Sequence, residues 1–198
     1  MGSPDIPAAP RAPHAPLLLA VIALIFIMVA KTMLLRPSYF MDGAEAVGMT
    51  TRFGAFAYFI AAATGEEAAK AAAIGVADLR RNRLSWFWIV VIVASTMGLI
   101  EFALRVAMYA DRIEASVLAL SGARTLAGHI ALSLVCVVLA RQMRSWIGAV
   151  VIVGLLHAAV NYARMQTGLS IPYLAGTGLL FAAVIVSAYI WRARLGWR

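Results

Sequence analysis

Charged and hydrogen-bonding side chains interrupt four apolar runs of this chain. They are Glu66, Glu67 and Lys70 in the first of these runs, Glu101 and Arg105 in the second, His129 in the third, and His157 with Asn161 in the fourth. Such side chains are seldom buried unless they are paired. A glutamate can take a proton from water, and imidazole and amide groups can share that water or bind a developing oxyanion. The residue types therefore indicate hydrolysis by an activated water.

Helical spacing predicts which of these side chains share a face. Glu66 with Lys70 and His157 with Asn161 are four residues apart, which places each pair on one side of a helix. Glu67 is turned by about 100° from Glu66 and lies three residues before Lys70, within reach of its ammonium.

The elements that carry these residues are too apolar for a soluble domain. Of the 198 residues, 63% are hydrophobic and 13% are charged, and the mean hydropathy is +0.88, whereas soluble domains are about a quarter charged. The net charge of +8 comes mainly from arginines in short loops, without a basic stripe interleaved with aromatics, so no nucleic-acid partner is expected. Cys136 is the only cysteine, which excludes an intrachain disulfide and a cysteine metal cluster.

Segment lengths predict an all-α, polytopic membrane bundle with a buried polar site, because a span needs about 20 apolar residues. Residues 1–16 contain five prolines and are expected to form a disordered cytoplasmic tail, followed by one transmembrane domain over residues 17–198. The fourth span is expected to begin earlier than its apolar run, within Ser116–Ala127. The six predicted spans are Leu17–Leu35, Phe53–Ala77, Trp86–Tyr109, Leu126–Ala140, Trp146–Tyr162 and Ile171–Trp191.

Loop arginines predict the orientation. With the amino terminus inside, the inner segments contain nine arginines and the outer segments five: Arg36, Arg52, Arg112, Arg124 and Arg164. This asymmetry favours an inner-membrane protein with both termini in the cytoplasm. The five tryptophans fall near the predicted cytoplasmic helix ends, which is an expected position for an aromatic belt.

Depth along the helices predicts that the polar side chains meet. Glu66, Glu101, His129 and His157 each lie 11–15 residues from the cytoplasmic end of their helix, or about 17–22 Å into a core about 30 Å thick. We therefore expect one polar cavity that opens to the outer side. Small residues around this level should let the helices approach closely: Gly65, Ala68, Ala69, Gly98, Gly128, Gly154 and Ala158.

Four segments resemble, in order, the motifs of the PrsW-type intramembrane proteases of the CAAX-protease and bacteriocin-processing membrane superfamily. They are the EEAAK sequence at 66–70, Gly98 to Glu101, Gly128-His129, and His157 to Asn161. The resemblance implies an endopeptidase in which Glu66 activates water with help from His129, while His157 and Asn161 hold the oxyanion. It also implies that Glu67 positions the site through Lys70, and that the substrate is a single-pass membrane protein such as an anti-sigma factor.

Other mechanisms and functions remain open at this point. The chain lacks a Ser/His/Asp set, an HExxH helix and paired membrane aspartates. A metal-free site is expected because Lys70 balances the carboxylates, but two histidines with Glu66 and Glu101 are also a plausible zinc set. A non-catalytic membrane scaffold of the same fold is the second interpretation. A proton-coupled transporter is the third, although no inverted repeat or interrupted helix pair supports it.

Overall fold

Five helices account for most of the part of the chain that the structure, a computed structural model, describes: residues 18, 22–23, 52–79, 85–167 and 169–194. No strand occurs among these residues, so the all-α prediction is confirmed for them. The helices are α1 (Arg52–Leu79), α2 (Trp86–Tyr109), α3 (Ala115–Met143), α4 (Trp146–Thr167) and α5 (Ile171–Trp191).

Four of these helices, α2 to α5, are long and apolar enough to cross a membrane. The helix α1 is long enough but has three charged residues, Glu66, Glu67 and Lys70, in its central turns. The predicted span Leu17–Leu35 lies outside the described residues, apart from residues 18, 22 and 23, which are helical. The structure therefore supports a membrane helical protein with four candidate spans among the described residues, and the total of six stays a prediction.

The helix bounds follow the apolar runs closely. The predicted bounds of α2 and α5 are confirmed, and α3 begins at Ala115, one residue before the interval expected for it. The helix α4 continues five residues beyond the predicted Tyr162, because Ala163 to Thr167 contain no helix-breaking residue. Arg144 ends α3 in the left-handed conformation with φ 53°, and Pro172 occupies the first turn of α5, where its missing amide hydrogen is not needed.

The bundle is organised around α3, which packs against α1, α2, α4 and α5. The most extensive helix pair is α1 with α4. A core cluster joins α1, α2 and α3 through residues such as Ile74, Val90 and Val137. A second cluster joins α3 to α4 through Cys136, Ala149 and Val153, so Cys136 is a buried core residue.

Glycines allow the close helix contacts at two crossings. A Cβ on Gly154 of α4 would lie 2.9 Å from the Cα of Thr64 in α1, and a Cβ on Gly98 of α2 would lie 3.0 Å from the Cα of Leu126 in α3. Two of the expected small contact residues behave differently. Gly65 has nothing within 4 Å of its Cβ position, and Ala68 is exposed in an open apolar groove between α1 and α4.

Aromatic residues gather at one end of the bundle. Trp86 at the start of α2 stacks on Trp146 at the start of α4, with ring centroids 6.4 Å apart, and the Arg141 guanidinium lies over Trp86. Tyr189, near the end of α5, contacts Phe87 edge to face. The beginnings of α2 and α4 and the ends of α3 and α5 therefore share one end, as the alternating directions of the helices require.

Three arginines assigned to outer segments lie within helices instead, and one of them, Arg52, is the first residue of α1. Arg124 is in the third turn of α3 and is buried, and Arg164 is in the last turn of α4 and is half-buried. The prediction of loop positions was wrong for all three because their helices extend further than the apolar runs. Arg124 reaches α5 rather than water, through Thr177 and Tyr173.

Candidate functional site

Lys70 lies at the centre of a polar network between helices α1 to α4. Its side chain is 1% exposed, and its Nζ donates to Oε1 of Glu67 at 2.6 Å. The same ammonium lies 3.4 Å from Nδ1 of His129. One turn of α1 therefore supplies an anion and a cation, which reduces the cost of burying both.

The first glutamate–histidine pair joins α1 to α4. Nδ1 of His157 lies 2.8 Å from Oε1 of Glu67, the same oxygen that accepts from Lys70. The other ring nitrogen of His157, Nε2, lies 3.8 Å from Oε2 of Glu66. Both glutamates of the EEAAK segment thus face one histidine, although helical spacing turns them by about 100° from each other.

The second glutamate–histidine pair joins α2 to α3. Nε2 of His129 lies 2.7 Å from Oε2 of Glu101, whose other oxygen accepts from Arg105. Arg105 also donates to the hydroxyl of Thr125 on α3. The two imidazole rings meet edge to face with centroids 5.5 Å apart, so the two pairs form one continuous network.

The hydrogen-bond partners determine the tautomers of both rings. An ionised carboxylate only accepts, so Nδ1 of His157 carries the proton that Glu67 accepts, and Nε2 of a neutral His157 is free to accept. For His129 the proton lies on Nε2, which donates to Glu101, while Nδ1 accepts from Lys70. A neutral His157 therefore has an acceptor facing Glu66, not the oxyanion donor that the family resemblance implied.

A small polar cavity adjoins the network. It has about 20 Å³ of space for the centre of a water, and a water needs roughly 10–15 Å³ by this measure. Helices α2 to α5 supply its walls. The polar side chains that line it are Glu101, Arg105, Arg124, Thr125, His129, His157 and Asn161.

The predicted site residues are thus brought together, with one difference in their arrangement. Glu66 and Glu67 contact His157 but do not line the cavity, which Glu101 and Asn161 do. The half-buried Asn161 lies one turn after His157 on α4, so its amide is available to a group in the cavity.

Several polar residues near the site were not predicted from the sequence to belong to it. Thr125 and Arg124 line the cavity, and Tyr173 of α5 donates its hydroxyl to the carbonyl of Val160 at 2.7 Å. Threonines and tyrosines are common in membrane helices, so their types gave no signal. For Arg124 a signal was present, because this charged residue lies only five residues before His129 on the same helix.

Three of the side chains could share one water or one metal ion. Ligand atoms of Glu66, Glu101 and His129 lie within 4.8 Å of one another. One water at about 2.8 Å from each atom fits that spacing. A zinc ion with ligands at about 2.0–2.2 Å would need the atoms to move closer together, and His129 would have to give up the contact with Lys70 or with Glu101. The spacing therefore fits a water better than a metal.

Comparison of the chain with protein-family models, with curated proteins and with solved structures finds no significant match.

Proposed function

We propose that this protein is an intramembrane endopeptidase that hydrolyses a membrane-anchored protein with a glutamate-activated water. The observation that carries the proposal is the buried network itself: two glutamate–histidine pairs, linked by Lys70, in which Glu66, Glu101 and His129 are spaced to share one water. Burial of this many ionisable groups among apolar helices is costly, and membrane proteins retain such groups mainly for function. The resemblance of the EEAAK segment and the His157–Asn161 segment to PrsW-type motifs supports the same reaction.

In the proposed mechanism, Glu66 and Glu101 hold the water and Glu66 takes its proton. The water oxygen attacks the scissile carbonyl carbon, and Nε2 of His157, beside Glu66, accepts a hydrogen bond from the water or from the protonated Glu66. The proton then passes to the amide nitrogen as the C–N bond breaks, which gives a carboxylate and an amine. The side-chain amide of Asn161 donates to the oxyanion.

The remaining network residues position the site. Lys70 and the Nδ1–H of His157 both bind Oε1 of Glu67, which fixes the ring that faces Glu66. Arg105 holds Glu101, and Glu101 in turn fixes the tautomer of His129. This assignment differs from the family-derived one in two respects: His157 accepts a hydrogen bond beside Glu66 instead of binding the oxyanion, and Glu101 helps to hold the water.

The setting of the reaction is part of the proposal. We place the chain in the inner membrane with both termini in the cytoplasm, and α1 as a further span whose central charges are neutralised by the network. The site then lies in the outer half of the bilayer. A single-pass protein such as an anti-sigma factor is the substrate class that fits this depth.

The replacement Glu66→Gln tests the proposal most directly. It keeps the size of the side chain but removes the base, so turnover should fall at least about 100-fold, the scale of general-base catalysis. Proteomics of membrane fractions from cells with the wild-type or the variant chain should show one single-pass protein that accumulates uncut with the variant. The exposed Glu114 provides the matched control, Glu114→Gln, which should behave as wild type.

A metal-dependent form of the enzyme is the second candidate, favoured by the grouping of Glu66, Glu101 and His129. Elemental analysis of the purified chain distinguishes the two forms. The metal-free form predicts no stoichiometric zinc and full activity in chelator. One metal per chain, lost in His129→Ala but retained in His157→Ala, would establish the metal form, because His157 is not in that group.

A scaffold is a further candidate, and the observation that favours it is that most of the network pairs with itself, although Oε2 of Glu67 is buried without a hydrogen bond among the described residues. Lys70, His129 and Oε1 of Glu67 all use their described contacts within the protein. Under this interpretation Glu66→Gln would alter the stability or a bound partner but leave every membrane protein uncut in both strains.

A further inference from the structure

Arg124 is a buried cation next to the site whose role the proposed mechanism does not explain. It is 5% exposed and lines the same cavity as Glu101, His129 and Asn161. Its guanidinium donates to the hydroxyls of Thr177 at 3.2 Å and Tyr173 at 3.4 Å. Both acceptors are neutral.

Among the residues that the structure describes, no carboxylate forms an ion pair with Arg124. Glu101 interacts with it electrostatically but is bound to Arg105 and His129. Arg164 adds a further positive charge, because it interacts with both Arg105 and Arg124. The Arg124 side of the cavity therefore has more positive than negative charge.

A buried guanidinium without an anion is unfavourable, and planar carboxylates are among its preferred partners. Two of its five N–H donors are used by Thr177 and Tyr173, and the ring faces of Tyr173 and Phe181 cover it at 5.5 and 5.7 Å. The aromatic contacts hold the group in place, and the space in the cavity admits a carboxylate oxygen in place of a water.

We propose that Arg124 forms a binding site for a carboxylate of the substrate polypeptide, an Asp or Glu side chain near the cleaved bond. Arg124 lies five residues before His129, or about 7.5 Å along α3, towards the Ala115 end. An extended chain spans about 3.3–3.6 Å per residue. The carboxylate thus belongs about two residues from the scissile bond, on the side of the substrate that faces the Ala115 end of the bundle. This distance rests on the proposed function, whereas the binding of the carboxylate does not.

Binding of small probes to the full-length chain in neutral detergent tests the site without any need for cleavage. The probe is N-acetyl-aspartate N-methylamide, its neutral isostere is the asparagine compound, and glycerol phosphate represents a lipid headgroup. The aspartate probe should raise the melting temperature in a saturable way, and the asparagine compound should not. In Arg124→Gln the affinity should fall at least about 30-fold, the scale for loss of one partner of a buried charge pair. The control Arg112→Gln removes an exposed arginine and should bind as wild type.

Several results would overturn the proposal. One is an equal rise in melting temperature with the aspartate and asparagine probes in the wild-type chain, a result that needs no variant. Another is an undiminished rise with the aspartate probe in a folded Arg124→Gln chain. Tighter binding of glycerol phosphate than of the aspartate probe would assign the site to lipid instead. Asp42 and Glu45 are the two carboxylates between the predicted span Leu17–Leu35 and α1. Markedly tighter probe binding in the double variant Asp42→Asn/Glu45→Gln would mean that the chain's own carboxylates occupy the site.

The same probe separates this inference from the proposed function. Glu66→Gln should bind the aspartate probe as wild type does, because Glu66 does not line the cavity. Charge-dependent binding in a chain that cleaves nothing would refute the protease and leave the carboxylate site. Cleavage that is indifferent to an Asp→Asn change two residues from the cut, together with no probe binding, would refute the carboxylate site alone.

Discussion

At the scale of single residues, Lys70 is the group on which the site depends most. Its ammonium neutralises Glu67 and donates towards His129, so it connects the two glutamate–histidine pairs. The four-carbon side chain originates on α1, one turn from both glutamates, and is fully enclosed by the neighbouring helices. An exposed lysine at the same spacing from a glutamate would contribute only about a few tenths of a kcal/mol to the free energy of unfolding.

We expect Lys70→Met to destabilise the protein by about 3–5 kcal/mol, because it leaves the buried Glu67 carboxylate without its cation. The double variant Lys70→Met/Glu67→Gln should recover much of that loss, since the uncompensated charge is then absent. Unfolding in detergent with a chemical denaturant measures both. The control is Asp111→Asn, which removes the exposed ion pair of Asp111 with Arg112. If Lys70→Met were no less stable than this control, the central role of Lys70 would be contradicted.

The two nitrogens of His157 have separate roles that substitution can separate. Asparagine places an amide near the Nδ1 position, so His157→Asn should preserve the bond to Glu67 and most of the stability. It lacks the Nε2 acceptor beside Glu66, so cleavage should fall about 100-fold. Glutamine places its amide near the Nε2 position instead. His157→Gln should therefore lose the bond to Glu67 and be less stable than His157→Asn. Stability and cleavage assays on both variants test the assignment, and an active His157→Asn chain would remove Nε2 from the mechanism.

The sequence predicted which residues meet more successfully than it predicted how they pair. Counting residues from the helix ends placed Glu66, Glu101, His129 and His157 at one level, since the rise of a helix is fixed. It could not predict that Glu67 rather than Glu66 binds Nδ1 of His157, because that choice depends on the rotation of α1 against α4. The rotation of one helix against another is set by side-chain packing between them. The spacing of residues within one helix gives no information on that packing.

At the scale of helices, the contact of α1 with α4 sets the geometry of the site. Glu67 on α1 and His157 on α4 are held 2.8 Å apart, and Gly154 contacts Thr64 one turn away from them. The apolar runs predicted the helices themselves because membrane thickness fixes their length. The apolar runs predicted the wrong position for Arg124 and Arg164, because helix propensity and polar contacts continue both helices beyond the apolar residues.

We expect Gly154→Ala to separate α1 from α4, since the new Cβ would lie 2.9 Å from the Thr64 Cα. The cost should be about 1–3 kcal/mol, the scale of overpacking, with a loss of cleavage that exceeds the loss of folded protein. Gly75→Ala on α1 is the matched control, because open space surrounds that position. It should be neutral or stabilising by up to about 1 kcal/mol. Equal behaviour of the two variants would show that the crossing tolerates a methyl group.

At the scale of the whole molecule, the described helices fix which ends lie together but not which side they face. The Trp86, Trp146 and Arg141 cluster marks one end, and the turn at 110–114 marks the other. Arg124 and Arg164, assigned to outer loops, and Arg141, assigned to an inner loop, all lie within helices. The orientation with both termini in the cytoplasm stays a prediction from the loop arginines.

Labelling of single cysteines in intact cells tests this orientation. Cys136 is the only cysteine and is buried, so Cys136→Ala gives a cysteine-free background at the cost of one small core contact. In that background Arg112→Cys, in the exposed turn between α2 and α3, should react with a membrane-impermeant maleimide added outside the inner membrane. Gln142→Cys, exposed near the end of α3, should react only after the membrane is made permeable. The opposite pattern would invert the bundle, and the site would then lie in the inner half of the bilayer, which excludes an extracytoplasmic cut.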